Sequence, residues 1–288
     1  MAHRLLLDTS SLAYRAFFAL PTSIKAPDGR PINAAHGYLD MTAQLVRDSS
    51  PDEIVHVFDH DWRPAPRVRA YAGYKADRPP DPEGLPAQFD VLRSVLEALG
   101  QPVAEAPGWE ADDAIATLCA TAPAEDRVDV VTGDRDLLQV VREGPPQVRV
   151  LFTLKGVSQL GVFDEAAVLE KYGVAADRYA EFASLRGDPS DGLPGVRGIG
   201  EKTARNMIQR YPSIAALLDD IESQTPRMRT ALDESRDYLT AMDEVVPVRT
   251  SVEVTIRKGE RDDEVLDDLA EQHRLGGPLR RLREALDA

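Results

Sequence analysis

The sequence predicts an α/β fold in which helices cover both faces of a central, mostly parallel sheet. Three short apolar runs each end in an aspartate, and segments with helical periodicity separate them. Strands that alternate with helices are typical of an open parallel sheet, because each crossover helix packs back onto one face. Ligands of such sheets bind beyond the carboxyl ends of the strands. We therefore expect the three aspartates to lie together at one edge of the sheet.

The three strands end at Asp8, Asp59 and Asp134. Periodicity predicts helices over residues 34–48, 86–99 and 110–120, and a strand and hairpin over residues 147–163. The pattern then becomes helical over residues 165–172, up to Gly187, over residues 201–211 and 213–220, and in a longer helix beyond Pro226. A last strand is predicted over residues 245–256 and a helical tail over residues 262–288. We place a boundary near Asp164, between an α/β part (residues 1–163) and a helical part (residues 164–288).

The composition is that of a globular protein with a sizeable core. The chain has 288 residues, 43% of them hydrophobic, and no apolar run of 18 residues. A transmembrane helix needs about 20 such residues, so we expect no membrane contact. The first residues read as a strand and lack the features of a signal peptide. The single cysteine, Cys119, excludes a disulfide framework and a cysteine-based zinc site, and a cytoplasmic protein is expected.

The charge balance by itself disfavours nucleic-acid binding. The chain has 34 basic and 49 acidic residues and a formal net charge of −15, whereas a face that binds nucleic acid is usually basic. The basic residues nevertheless cluster in two islands, residues 61–80 and residues 195–210. Composition alone leaves two interpretations of the islands open, a solvated face or a binding surface.

The first island lies in a long excursion from the end of the second strand, residues 63–83. This segment contains five prolines, together with basic residues and tyrosines, and shows no firm periodicity. Its few apolar side chains offer little to pack, so we expect it to be loosely held in the free protein. Loops of this length in compact domains are usually functional or disordered.

Nine acidic residues, at strand ends, at the start of a helix and in a glycine- and proline-rich loop, form a set that could converge on one site. They are Asp8, Asp59, Glu110, Asp112, Asp113, Asp134, Asp136, Asp188 and Asp191. Helix capping or simple solvation explains any one of them. Nine converging carboxylates, however, would repel one another and raise one another's pKa values unless cations were bound. Oxygen ligands without histidine or cysteine favour Mg²⁺ or Mn²⁺, and two such ions roughly 3.5–4 Å apart can clamp a scissile phosphate.

The second island contains a glycine-rich hairpin, residues 193–204. Gly198 and Gly200 allow the backbone to approach a ligand closely, and their N–H groups precede a helix whose N-terminus favours an anion. Lys202 and Arg205 add positive charge. This combination suits a DNA phosphate and carries no base readout. A dinucleotide-binding loop would need a preceding strand, whereas helix and loop precede this one.

Six ordered motifs resemble those of the 5′ nuclease (flap endonuclease) family, and are most similar to the 5′-nuclease domain of bacterial DNA polymerase I. The motifs are Leu7-Asp8 with Tyr14-Arg15-Ala16-Phe17, Val57-Phe58-Asp59, Tyr74-Lys75-Ala76-Asp77-Arg78, Gly108-Trp109-Glu110-Ala111-Asp112-Asp113, Thr132-Gly133-Asp134-Arg135-Asp136-Leu137, and residues 186–204. The resemblance implies a PIN-like core, a helical arch near residues 60–86 and a helix–hairpin–helix near residues 182–211.

The resemblance also implies roles for individual residues. A first metal ion would be held by Asp8, Asp59, Glu110 and Asp112, and a second by Asp113, Asp134, Asp136, Asp188 and Asp191. Lys75 and Arg78 would contact the scissile phosphate, Tyr74 would stack on a base near it, and Arg15 would contact a phosphate. DNA would also be bound by Gly198, Gly200, Lys202 and Arg205, while K⁺ would be held by the backbone carbonyls of Leu193, Pro194, Val196 and Ile199.

The implied activity is structure-specific 5′ flap endonuclease and 5′-3′ exonuclease cleavage of branched, gapped or nicked DNA and of RNA–DNA hybrid ends. A monomer linked functionally to a DNA polymerase and a ligase is expected. Two features depart from the family. Residues 62–69 replace its usual Phe-Arg-His stretch, and the chain ends at Ala288 without a polymerase, so a stand-alone enzyme is expected.

Two alternatives to this activity remain open. The chain could be an RNA-directed nuclease, or a catalytically inactive protein that binds DNA structures. The hairpin argues against the first alternative because it suits duplex DNA. The complete set of nine carboxylates argues against the second.

Overall fold

A seven-stranded sheet runs through the computed structural model, which describes all 288 residues. Its strands are β1 (His3–Asp8), β2 (Glu53–Val57), β3 (Val103–Glu105), β4 (Arg127–Thr132), β5 (Gln147–Thr153), β6 (Leu160–Phe163) and β7 (Thr255–Arg257). The order across the sheet is β6-β5-β4-β1-β2-β3-β7. The five inner strands are parallel, and only the edge strands β6 and β7 run antiparallel. The predicted parallel-rich α/β sheet is confirmed.

Five helices belong to the first half of the chain. They are α1 (Thr9–Ala19), α2 (Asn33–Ser49), α3 (Ala65–Ala70), α4 (Pro86–Ala98) and α5 (Ala111–Thr121). The periodicity places α2, α4 and α5 correctly to within one residue at each end. It identifies neither α1, which follows β1 without a loop, nor strand β3, whose three residues are too few to show alternation.

The chain beyond β6 is helical, as predicted. Its next helices are α6 (Glu165–Tyr172), α7 (Tyr179–Arg186), α8 (Glu201–Arg210), α9 (Ile214–Asp219), α10 (Pro226–Glu234) and α11 (Arg236–Val245). Asp164 and Ser213 cap α6 and α9, because each side chain accepts a hydrogen bond from a backbone N–H of the first turn (2.8 and 3.0 Å). The longer helix expected beyond Pro226 is divided into α10 and α11 at Ser235.

The last helices, α12 (Asp263–His273) and α13 (Gly276–Leu286), return to the α/β part. Leu279 of α13 lies in the same core as Leu5 of β1. Arg281 forms a bidentate ion pair with Asp40 of α2 (2.7 and 3.0 Å). Strand β7 likewise pairs with β3. The boundary at Asp164 therefore does not hold for residues 255–286, which complete the α/β part.

The strand predicted over residues 245–256 is wrong except for its last two residues. Helix α11 continues to Val245, and the following backbone binds side chains in place of a neighbouring strand. Val248 N–H donates to Gln139 (3.2 Å), Arg249 N–H to Asp113 (2.8 Å) and Val252 N–H to Thr117 (3.2 Å). These side-chain acceptors satisfy the backbone donors, so no ladder is needed.

Two hydrophobic cores lie on the two faces of the sheet. Leu6 of β1 enters one core and Leu5 and Leu7 enter the other, because successive side chains of a strand point to opposite faces. The core around Leu6 continues into the helical part through Phe182 and Ile208. No helix combines the length and the apolar composition that crossing a bilayer requires.

Candidate active site

The carboxyl edge of the sheet brings together the aspartates that end its central strands. β1 lies between β4 and β2 and is parallel to both, so the three strands end at the same edge. Asp8 ends β1, Asp59 follows β2 and Asp134 follows β4. The charges of Asp59 and Asp134 are close enough to raise the pKa of Asp8. The shared edge predicted for these three residues is confirmed.

Asp8 is held in place from two sides. One carboxylate oxygen accepts from the backbone N–H of Ser11 (3.0 Å) and the other from the hydroxyl of Thr132 (2.6 Å). The same hydroxyl accepts from the N–H of Asp134 (2.9 Å) and so ties the ends of β1 and β4 together. Asp8 is 3% exposed, and this burial raises its pKa to about 7, with a further contribution from Asp59.

The N-terminus of α5 adds Glu110 and Asp112 to the site. The N–H of Ala111 donates to the carboxylate of Asp59 (2.7 Å), which ties the helix to the end of β2. Glu110 is buried, accepts from the Tyr74 hydroxyl (2.7 Å) and pairs with the cations of the excursion. Burial, followed by the charge of Asp134, raises the pKa of Asp112 well above its usual range.

Three further acids approach from β4 and from the loop between α7 and α8. Asp136 begins a short 3₁₀ helix, Asp188 caps a second one and Asp191 is its last residue. Burial, followed by the charge of Asp134, raises the pKa of Asp136 well above its usual range. Burial also raises the pKa of Asp191 to about 6, although the ammonium of Lys75, 3.9 Å away, acts in the opposite direction.

These carboxylates carry more negative charge than the neighbouring side chains neutralise. Five of them have no basic partner, namely Asp8, Asp59, Asp112, Asp134 and Asp136. A bound divalent cation would relieve this repulsion, and the all-oxygen donor set fits Mg²⁺ or Mn²⁺. No three acidic side chains, as placed, surround a point closely enough to hold an ion. Metal binding would therefore have to draw them together.

Asp113 does not belong to this cluster. Its two carboxylate oxygens accept from the guanidinium of Arg67 (2.7 and 2.8 Å), and one of them also accepts from the N–H of Arg249 (2.8 Å). The side chain is completely buried. Consecutive residues of a helix point about 100° apart, so Asp112 and Asp113 face different surroundings. The assignment of Asp113 to a metal ion does not hold, and its contacts are those of a structural residue.

The base of the excursion contains buried side chains, whereas the stretch that follows it does not. Arg67, Tyr74 and Lys75 are buried, whereas residues 76–81 are exposed. The guanidinium of Arg63 closes the base by donating to the carbonyl of Tyr74 (2.6 Å). The expectation that the whole segment is loosely held is therefore wrong for residues 63–75, because buried polar contacts replace the apolar packing that the sequence lacks.

The residues assigned to the scissile phosphate lie in different surroundings. The Lys75 ammonium lies between Glu110 and Asp191, and its left-handed backbone (φ 49°) donates an N–H to the carbonyl of Asp191 (2.9 Å). Tyr74 is only 4% exposed and donates to Glu110, so its ring is not available to stack on a base as expected. Arg78 lies in the exposed part of the excursion and contacts no carboxylate.

A tight glycine hairpin joins α7 to α8 and meets the base of the excursion. Gly187 has a φ of +82°, and a Cβ there would lie 2.7 Å from the nitrogen of Gly195. A Cβ on Gly192 would lie 2.5 Å from the carbonyl oxygen of Gly73. These contacts require glycine. Helix α7, the hairpin and α8 span residues 179–210, against the predicted 182–211.

The outer face of the hairpin is open. Gly200 has an ordinary φ of −96°, and a Cβ there would meet nothing within 4 Å, so neither backbone strain nor crowding explains this glycine. Gly198 (φ +83°) and Lys202 are also exposed. Arg205 differs from the free cation expected, because its guanidinium donates to the carbonyl of Tyr172 (2.7 Å) and pairs with Glu201.

The remaining predicted contacts lie near the same edge. The Arg15 guanidinium lies beside Gly133, where a Cβ would be 2.6 Å from it, next to Asp134. Of the carbonyls assigned to K⁺, those of Leu193 and Val196 already accept backbone hydrogen bonds (2.9 Å each), which leaves one lone pair on each. Pro194 and Ile199 lie in the same hairpin.

Sequence reasoning misses two residues that hold the site together, Thr132 and Arg67. Thr132 reaches Asp8 across 124 positions of the chain, and Arg67 reaches Asp113 across 46. Nothing local distinguishes Thr132 from any strand threonine, or Arg67 from its neighbours in the basic island. The only available signal is that Asp113 needs a partner if it is buried.

Two family models cover most of the chain. The 5′-3′ exonuclease, N-terminal resolvase-like domain matches residues 3–173, and the 5′-3′ exonuclease, C-terminal SAM fold matches residues 174–266. The chain belongs to the 5′-3′ exonuclease family and is a nuclease of that family.

Relatives and solved structures agree with this assignment. The chain is 46% identical over 304 residues to a 5′-3′ exonuclease of Streptomyces coelicolor, covering 99% of this chain and 100% of the relative. It is 46% identical over 230 residues to DNA polymerase I of Mycobacterium bovis, covering 79% of this chain and 25% of the polymerase.

The fold is also that of a solved phage nuclease. The T5 D15 protein co-crystallised with metal ions superposes with a TM-score of 0.69 at 18% identity, covering 99% of this chain and 98% of that one. A complex of the T5 D15 flap endonuclease with DNA and metal ions gives a TM-score of 0.66 at 17% identity over the same shares of the two chains. At these identities the likeness concerns the fold.

Proposed function

We propose that this chain is a divalent-metal-dependent, structure-specific 5′ nuclease. Its substrates are flaps, gaps, nicks and other 5′ ends of duplex DNA, including ends that carry RNA. The observation that carries the proposal is the group of carboxylates without basic partners at the carboxyl edge of the sheet, next to the ammonium of Lys75. Such a group is costly without bound cations, and cations there serve phosphodiester hydrolysis.

The carboxylates divide into two groups that would each hold an ion. The first group is Asp8, Asp59, Glu110 and Asp112, and the second is Asp134, Asp136, Asp188 and Asp191. Ions held there would lower the pKa of an attacking water and stabilise the leaving oxygen. The chain's own contribution is to fix the donors. Thr132 orients Asp8 and the N–H of Ala111 orients Asp59, so these two are aligned before any ion arrives.

Lys75 would serve the scissile phosphate. Its ammonium lies in the same cleft as Glu110, and the strained backbone at this residue fixes its direction. Arg78 lies on the exposed segment beyond it, which is free to close over a DNA strand. Positive charge held near the phosphate stabilises the charge that grows in the transition state.

The hairpin would hold the duplex away from the cleavage point. Its exposed N–H groups at Gly198 and Gly200, with Lys202, suit a backbone phosphate. The complex of the T5 D15 flap endonuclease, which shares this fold, contains both DNA and metal ions and supports the same pair of ligands here. The free lone pairs of the hairpin carbonyls allow K⁺ to bridge to the phosphate.

The match to DNA polymerase I supports a role in replication and repair. Removal of 5′ flaps and RNA-primed ends follows synthesis by a polymerase and leaves a nick for a ligase.

A substrate panel tests the proposal. The purified protein is incubated with 5′-labelled flap, gapped, nicked and RNA–DNA hybrid duplexes in Mg²⁺, Mn²⁺ or EDTA. We expect cleavage near the junction only with metal, and loss of cleavage with a folded protein in Asp134→Ala. Asp177→Ala, which removes an exposed carboxylate far along the chain, is the matched control and keeps full activity. Metal-independent cleavage, binding without cleavage, or a preference for single-stranded RNA would overturn the proposal.

A further inference from the structure

Arg67 is a buried cation whose every hydrogen-bond donor is used. It is 2% exposed. Its Nε donates to the carbonyl of Val245 (2.9 Å), and its two terminal nitrogens donate to Asp113 (2.7 and 2.8 Å), to Glu110 and to the carbonyl of Pro247 (3.3 Å). A guanidinium has five N–H donors, and these are five contacts. A buried charge is costly unless it is paired and hydrogen-bonded, and Arg67 meets this requirement with all of its donors.

The five contacts join three parts of the chain. Arg67 itself lies on α3 at the base of the excursion, its carboxylate partners lie at the start of α5, and its carbonyl partners lie at the end of α11. Its guanidinium also lies 5.9 Å from the ring centres of Tyr74 and Trp109. Together with the contacts of Tyr74 and Lys75 to Glu110, this side chain fixes the excursion to the edge of the sheet.

The contact with Glu110 gives this arrangement a consequence for the site. Arg67 and the Tyr74 hydroxyl bind the same oxygen of Glu110, Oε2, and Lys75 binds the other, Oε1. The side of Glu110 that faces Asp191 and the cleft is thus Oε1. Asp113 takes no part in the cleft and serves to anchor Arg67. Asp113 holds the guanidinium of Arg67 in place, and Arg67 in turn holds Oε2 of Glu110.

We propose that Arg67 is a positioning residue of the active site, which acts through Glu110 by holding one oxygen so that the other faces the metal. This inference rests on the proposed metal site. Lysine cannot replace arginine here, because an ammonium has three donors and no planar fork, so it cannot span Asp113, Glu110 and the two carbonyls. Loss of a residue that orients a metal ligand typically weakens metal affinity or activity by about 10–100-fold.

The test is a calorimetric titration of metal-free protein with Mn²⁺. Arg67→Lys keeps the positive charge and removes the fork, and we expect its Mn²⁺ affinity to fall about 10–100-fold. Its single-turnover rate should recover partly at high Mg²⁺, while its KM for flap DNA stays near that of the original protein. Asp113→Asn weakens the hold on Arg67 but leaves the contact between Arg67 and Glu110, so it should lower Mn²⁺ affinity by a smaller factor. If Arg67→Lys does not fold, this variant provides the test, and an unchanged Mn²⁺ affinity in it would contradict the inference.

Arg149→Lys is the matched control. Arg149 also makes a bidentate pair with a buried aspartate, Asp129 (2.8 and 2.8 Å), but at the opposite edge of the sheet. Its replacement should lower thermal stability and leave Mn²⁺ affinity within about twofold, a change small beside the loss expected at a supporting residue.

Glu110→Gln separates the two proposals. If Glu110→Gln leaves Mn²⁺ affinity unchanged, Glu110 is not a metal ligand and the inference about Arg67 fails. The proposed metal site itself fails only if Asp134→Ala also leaves Mn²⁺ affinity unchanged. If Glu110→Gln weakens it and folded Arg67→Lys does not, the metal site stands and Arg67 is only structural.

Discussion

Replacing Asp8 by asparagine should make the metal-free protein less sensitive to alkaline pH. Asp8 is 3% exposed, and burial raises its pKa from an ordinary 3.8 to about 7. A carboxyl group with a raised pKa binds its proton more tightly in the folded chain than in the unfolded chain. Its contribution to stability is therefore present at low pH and is lost as the pH rises through 7. Asparagine has no proton to lose.

The size of the effect follows from the two pKa values. Between pH 5 and pH 8 the folded chain gives up the proton on Asp8, whereas the unfolded chain is already ionised at both. Linkage then predicts that the original protein loses about 2–3 kcal/mol more of its unfolding free energy than Asp8→Asn over this interval. Asp8→Asn also removes a charge that raises the pKa of Asp112. The stability of the variant therefore depends less on the ionisation of Asp112, which adds to the expected difference between the two proteins. Altered hydrogen bonds to Thr132 and Ser11 cost about the same at both pH values and cancel in the difference.

Urea unfolding in EDTA at pH 5 and pH 8, for both proteins, measures this difference directly. With saturating Mg²⁺ the original protein should regain most of what it loses at pH 8. Equal losses for the two proteins between pH 5 and pH 8 would refute the reasoning, because the proton would then not reside on Asp8.

Three further predictions concern DNA. Lys75→Ala should lower the single-turnover rate by about 10²-fold or more, the scale of a lost electrostatic donor, with little change in duplex affinity measured in Ca²⁺; a proportional loss of affinity would contradict the role given to Lys75. Lys202→Ala should reduce the slope of log affinity against log salt concentration for duplex binding by roughly 0.9. Gly200→Ala should weaken duplex binding at unchanged stability. An unaltered slope in Lys202→Ala would show that the hairpin is not part of the binding surface. Limited proteolysis of the free protein should cut first within residues 76–84, and branched DNA should protect these residues; early cuts within residues 63–75 would show that the base is not packed.

The sequence predicts most of the regular elements because their signals are local. The alternation of apolar runs with helical periodicity places β1, β2 and β4 and the helices α2, α4 and α5, and capping residues such as Asp164 mark helix starts. Elements with weak local signals are missed. β3 has only three residues, and β7 is a strand only because β3 offers it an edge. The return of α13 to α2 depends on a surface that forms only when the sheet has been assembled.

The same distinction holds within the active site. Which acids reach the edge of the sheet follows from strand ends, so Asp8, Asp59 and Asp134 are found from the sequence, and a resemblance in six motifs adds the others. Which way each side chain points does not follow. Asp112 and Asp113 are neighbours in the chain, yet one enters the cleft and the other binds Arg67, because the rotation of α5 is set by its packing against β1, β2 and β3.

Burial is the second property that only the folded chain decides. Tyr74 reads as an exposed aromatic and Arg67 as one of several surface cations, but both are buried against Glu110. In the unfolded chain a charged group or a hydroxyl forms its hydrogen bonds with water. In the fold, the end of α11, the start of α5 and the excursion exclude that water together. Each buried donor then has to find its acceptor in a distant part of the chain, since leaving it unpaired costs about 1–3 kcal/mol.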